Sequence, residues 1–81
     1  MIAVDTNILV HAHREDSPWN ERALGAIAGL GGQRWGIPWP CLHEFLAVVT
    51  HPKIFNPPTP MEDALTAVET WLDAPLLSVL G

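Results

Sequence analysis

Met1-Ile2-Ala3-Val4-Asp5-Thr6-Asn7-Ile8-Leu9-Val10 decides the fold. Ile2 to Val4 is apolar and β-branched at both ends, as a buried strand would be. An acid, a hydroxyl and an amide follow at once, and the apolar pattern then resumes at helical spacing through Ile8, Leu9 and Ala12. A strand that runs directly into a helix is the opening of an α/β unit. Ligands of open α/β sheets sit outside the carboxyl ends of the strands, which is where Asp5, Thr6 and Asn7 fall. Any of the three also has the chemistry to cap the helix that follows.

Working outward, His13-Arg14-Glu15-Asp16-Ser17 breaks the apolar pattern. Ser17-Pro18 predicts a second helix, with Ser at the N-cap, Pro at the first helical position and Glu21 in the first turn. Its expected apolar face is Trp19, Ala23, Leu24, Ile27 and Ala28, and Gly29, Gly31 and Gly32 end it. Trp35-Gly36-Ile37-Pro38 predicts a second strand, placed by its proline at an edge or a strand end. Pro40 opens a third helix with a stripe of Leu42, Phe45, Leu46 and Val49, from whose centre Glu44 projects away. Four prolines between Thr50 and Pro60 make that stretch a loop. Thr59-Pro60 predicts a fourth helix start, with Met61, Ala64, Leu65, Val68 and Leu72 on its inner face. Pro75 stops it, and Leu76 to Leu80 begins a third strand.

The expected order is β-α-α-β-α-α-β, an α/β domain over residues 1–81 with a parallel sheet covered by helices. The 81 residues hold one small domain, and a chain of that size buries only roughly 60% of its unfolded surface. A chain that stops at Gly81, straight after the strand Leu76 to Leu80, leads us to expect that the C-terminal part of the fold is missing, or that a partner completes it. Hydrophobic residues at 48% exclude a disordered chain. No apolar run reaches the ~18 residues of a membrane span, and the N-terminus lacks the basic segment and long apolar stretch expected of a signal peptide. With the lone Cys41, these features predict a cytoplasmic protein. A net charge of −5 argues against a general basic nucleic-acid surface. It leaves room for a metal-dependent nuclease, whose bound cations would invert the charge of an acidic site.

Asp5 and Glu44 are the candidate metal ligands. Mg²⁺ takes hard oxygen donors, commonly one or two carboxylates with water and substrate phosphate. Thr6 and Asn7 stand beside Asp5, where they would orient it. Glu44 follows the second strand near the start of its helix, so both acids would face one cleft. The competing roles are a helix cap for Asp5 and a solvated glutamate near a helix N-terminus for Glu44. His11 and His13, two apart, point to different helical faces and are read as surface or interface residues. One cysteine cannot build a structural zinc site, and no phosphate-cradling glycine loop occurs. Trp19, Trp35, Trp39 and Trp71 are read as core or interface anchors, since no basic residues are interleaved with them.

The chain resembles the PIN-domain family and, within it, the VapC-type toxins of bacterial toxin–antitoxin pairs. The resemblance rests on Ile2-Ala3-Val4-Asp5-Thr6-Asn7-Ile8-Leu9-Val10, Ser17-Pro18-Trp19, Pro38-Trp39-Pro40-Cys41-Leu42-His43-Glu44-Phe45-Leu46 and Thr50-His51-Pro52-Lys53-Ile54-Phe55. It implies a PIN-like parallel sheet between helices and a Mg²⁺- or Mn²⁺-dependent endoribonuclease. Asp5 matches the family's first acid and Glu44 its second; Asn7 and Thr6 match the polar residues beside the first. RNA substrate, a cognate VapB-like antitoxin and a homodimer are the implied partners. A third acid, and often a fourth, lie in such proteins beyond a strand like Leu76 to Leu80, and Asp63 and Asp73 do not replace them. Two carboxylates alone predict weak metal binding and little or no nuclease activity. The alternatives are a non-catalytic truncated module that binds an antitoxin, and a plain α/β fragment whose acids only cap helices.

Overall fold

A computed structural model describes residues 1–81. The elements run β1 (Ile2–Ala3), α1 (Thr6–His13), α2 (Asn20–Ala28), β2 (Trp35–Pro38), α3 (Trp39–Val49), α4 (Met61–Leu72) and β3 (Leu77–Leu80). The three strands form one parallel sheet in the order β1-β2-β3. Ile2 stands opposite Trp35, which stands opposite Leu77, and the register closes at Pro38 opposite Leu80. β2 is therefore central. Pro38 is tolerated there because it is the last strand residue, where the missing N–H costs least.

Gly36 is set by a close approach. A Cβ built on it would lie 2.9 Å from both Cγ and Cδ1 of Leu80. The Leu80 side chain fills the space a larger residue would need, so glycine lets β3 lie against the middle of β2.

The core gathers residues from every layer. Val4, Leu9 and Val10 meet Trp35 and Ile37 of β2, Leu42, Phe45 and Val49 of α3, and Ala64 and Val68 of α4. Phe45 is wholly buried at its centre. The edge of the Trp71 ring meets it with centroids 4.9 Å apart, a favoured aromatic geometry. The α3 stripe expected from sequence is confirmed, with Leu46 half-buried at its margin.

Four local expectations are corrected. α2 begins at Asn20, not at Ser17-Pro18, and its N-cap is Trp19 with no side-chain cap. Ser17 sits in the preceding turn, where its hydroxyl accepts the Trp19 N–H (3.1 Å) and its carbonyl the Asn20 N–H (3.1 Å). Thr59 does not cap α4; Pro60 takes that position, and the Thr59 side chain is buried and turned toward α1. The buried face of α4 is Ala64 and Val68 flanked by Ala67 and Trp71, whereas Met61, Leu65 and Leu72 stay exposed. α2 likewise buries only Ala23 fully, leaving Trp19, Leu24 and Ala28 in solvent. Apolar periodicity names a face, but packing decides how wide that face is.

Candidate functional site

Asp5 sits where β1 hands over to α1. Val4 donates its N–H to the Gly36 carbonyl (2.9 Å), so the sheet extends to the residue before Asp5. Asp5 then leaves the ladder with extended backbone angles and becomes the N-cap of α1. Its Oδ1 accepts the Ile8 N–H at 3.2 Å. That bond satisfies one of the helix's free N–H groups. The sequence left three candidates for this cap, and the backbone geometry selects Asp5. Thr6 is the first helical residue and is buried, whereas Asn7 is exposed.

Capping uses one acceptor position of the carboxylate. An ionised carboxylate has about four lone-pair sites, and Asp5 itself is exposed. It borders an apolar cleft of about 220 Å³ formed by β1, α1 and α2, lined by Ile2, Val4, Ile8, Ala26 and Leu30 among others. Asp5 is the one polar residue on that lining.

Glu44 lies in the second turn of α3, exposed, with no hydrogen bond or ion pair to hold it. α3 begins at Trp39, immediately after β2 ends at Pro38. Both acids therefore follow neighbouring parallel strands at their carboxyl ends, and α1 packs directly on α3. No bond joins Asp5 to Glu44, and no group of three or more His, Cys, Asp or Glu side chains is assembled anywhere in the chain. Asp63 is in the first turn of α4 and Asp73 caps its end, each on a different element from Asp5 and Glu44. Exposed carboxylate oxygens are the donor type a hard divalent cation takes, but the expectation that both acids face one cleft is corrected: Glu44 does not line the cleft that Asp5 borders.

A second polar centre was invisible in the sequence. His13 Nε2 lies 3.0 Å from the Thr59 hydroxyl, a residue 46 positions later. Arg14 donates to the same hydroxyl (3.2 Å) and to the Pro57 carbonyl (3.0 Å). The guanidinium also grips Asp16 through two hydrogen bonds (2.9 and 2.7 Å) and lies 4.4 Å over the Phe55 ring. Its hydrogen bonds hold the Asp16 carboxyl below the usual range. The imidazole of His13 is half-buried, edge-on to Phe45 at 5.4 Å. Burial, and then the Arg14 charge, push its pKa down, with Asp63 opposing. His11 is half-buried too, its Nδ1 2.7 Å from the Ser17 hydroxyl. Both rings line surface hollows, as read from the sequence, but each is half-buried and hydrogen-bonded. No spacing rule could have found either contact.

The tryptophans divide. Trp35 is core and Trp71 half-buried, while Trp19 and Trp39 are exposed. Trp19, with the Arg22 guanidinium 5.3 Å from its ring centroid, borders an open groove of about 460 Å³ between α1 and α2, together with Ile8, His11, Ala23 and Ala26.

No protein-family model matches the chain. Among curated proteins it is similar to three ribonucleases of Mycobacterium tuberculosis. It is 38% identical to ribonuclease VapC43 over 77 residues, covering 93% of this chain and 52% of that protein. It is 35% identical to ribonuclease VapC37 over 77 residues, 93% of this chain and 54% of that protein. It is 30% identical to ribonuclease VapC33 over 87 aligned positions, 99% of this chain and 57% of that protein. The chain spans about half the length of the curated relatives it matches.

Proposed function

We propose, from its similarity to the VapC ribonucleases, that this chain carries the first two acids of a PIN-type, metal-dependent endoribonuclease site. The similarity is the observation that carries this reading. Asp5 and Glu44 are its metal ligands, with Asn7 and the buried Thr6 supporting the strand exit. RNA is the substrate class, a VapB-like antitoxin and a second copy are the partners, and the cytoplasm is the compartment. No helix is long and apolar enough to cross a membrane.

A Mg²⁺ or Mn²⁺ ion bound at these carboxylates would supply Lewis-acid stabilisation of the phosphodiester and a more acidic water. The chain's own contribution is placement. The α1 cap holds one Asp5 oxygen and leaves the other free, and the sheet ties the strand before it to β2. Glu44 presents its carboxylate from the exposed side of α3. Two carboxylates are few for a tightly held ion, so weak metal affinity is expected of these 81 residues alone.

Titration with Mg²⁺ and Mn²⁺, followed by chemical shifts and Mn²⁺ line broadening, tests the site. Responses centred on both Asp5 and Glu44, lost from both in Glu44→Gln, support it. Unchanged spectra at tens of millimolar Mg²⁺ sink it.

The groove between α1 and α2 favours a second reading, a module that binds antitoxin without cleaving RNA. Its exposed Trp19 on an apolar floor has the makings of an interface anchor. Binding of a synthetic peptide from the cognate antitoxin, weakened at least tenfold by Trp19→Ser, supports that role. Binding unaffected by the substitution removes it.

A further inference from the structure

We propose that His13 is an acid-released latch, which in its neutral form ties the Thr50–Pro60 loop to the end of α1 and on protonation lets that loop go. The inference stands apart from the acids at Asp5 and Glu44. It rests on how donors and acceptors are distributed around one hydroxyl.

The Thr59 hydroxyl has one hydrogen to give and two lone pairs to receive with. Arg14 can only donate, so it occupies one lone pair. The Thr59 hydrogen is then free to point at His13 Nε2, 3.0 Å away. In that arrangement Nε2 is bare, so the latch uses the Nδ1–H tautomer of the neutral ring. A proton on Nε2 would meet the hydroxyl hydrogen head-on. The hydroxyl would have to turn, and two cations would then converge on one oxygen.

The surroundings reinforce this preference. Arg14 stands next to the ring in sequence and shares its partner. Glu15 and Asp16 line the same small hollow from the turn after α1, but Asp16 is already committed to Arg14. The loop contributes Thr59, and α3 contributes the uncharged edge contact with Phe45. From α4 comes Asp63, whose negative charge favours the protonated ring. Burial and Arg14 outweigh it.

The loop is also held by Phe55, which packs on the core beneath the Arg14 guanidinium, and by two hydrogen bonds to backbone carbonyls. Thr59 donates its N–H to the Val49 carbonyl (2.7 Å), and Arg14 reaches the Pro57 carbonyl. Thr59 is also the residue before Pro60, the N-cap of α4. Losing the latch therefore loosens the entry to α4 along with the loop.

Histidine-ring ¹⁵N spectra and amide exchange of the full 81-residue chain across pH 4.5–8 test this. We expect a bare Nε2 and a protonated Nδ1 at neutral pH, and a His13 midpoint below the usual histidine value. Exchange of the Thr59 amide, corrected for its intrinsic pH dependence, should accelerate roughly tenfold through that same midpoint, the weight of one hydrogen bond. Thr59→Val, which removes the hydroxyl and keeps the shape, should raise the His13 midpoint by about one pH unit. An Nε2–H tautomer in the wild-type chain overturns the proposal, and this result does not depend on any variant folding. So does Thr59 exchange that ignores the His13 titration, or a midpoint unmoved by Thr59→Val.

Discussion

Asp5 carries two roles that a pair of substitutions separates. As a cap, its Oδ1 accepts the Ile8 N–H at 3.2 Å. As a ligand, it would need its negative charge. Asparagine caps helices about as well as aspartate, whereas alanine loses about 1 kcal/mol at such a position. Asp5→Asn gives up only the attraction of a charge for the helix N-terminus, about 0.3–1 kcal/mol at an exposed site. In a domain of this size 1 kcal/mol moves Tm by about 4–8 °C. Without metal, Asp5→Ala should therefore melt several degrees below wild type, with Asp5→Asn between them. An ion at ten times its Kd adds about 1.4 kcal/mol to the folded state. Wild type should then gain several degrees in Mg²⁺ relative to NaCl of equal ionic strength. Asp5→Asn should gain nothing, although its fold and its cap are intact. Thermal melts by circular dichroism read both effects. If Asp5→Asn keeps the full Mg²⁺ gain, Asp5 is a cap and nothing more. If Asp5→Ala is as stable as Asp5→Asn, the capping argument itself is wrong.

Three further outcomes follow from the packing. Gly36→Ala forces a Cβ to within 2.9 Å of the Leu80 side chain; it should cost about 1–3 kcal/mol, seen as a lower urea midpoint at unchanged slope. Phe45→Ala removes the fully buried ring between His13 and Trp71. A loss of about 3–5 kcal/mol is most of what so small a domain holds, so far-UV circular dichroism should show a largely unfolded chain. The third concerns acid. His13 has a folded-state pKa below the usual 6.5, so its contribution is complete above that value and is lost as pH falls through the lowered one. Urea midpoints measured from pH 7.5 to 5 should fall, with a shallower fall in His13→Gln; identical slopes would remove His13 as the cause.

Much of the architecture was legible because its signals are local. Proline and glycine punctuated the chain, and the β-branched strand cores and the α3 stripe carried the period of their elements. The order of strands and helices expected from sequence is the one observed. The helix starts were less secure. Ser17-Pro18 and Thr59-Pro60 both have the composition of a cap, yet Ser17 serves a turn and Thr59 serves His13. A hydroxyl next to a proline advertises a hydrogen bond but not its recipient. Glu44 was correctly expected on the outer side of its helix, because a stripe of Leu42, Phe45 and Val49 leaves it nowhere else to point.

The sequence by itself determined the alternation of elements, the acid at the exit of the first strand and the similarity to VapC ribonucleases. Each is written in residues close together or in an ordered series of short segments. Only the tertiary structure decided that Asp5 is the cap of α1, how narrow the buried faces of α2 and α4 are, and that His13, Arg14 and Thr59 meet. Local patterns repeat every two or four residues and can be read along a line. A contact across 46 residues has no period, and it exists only once the chain has folded back on itself.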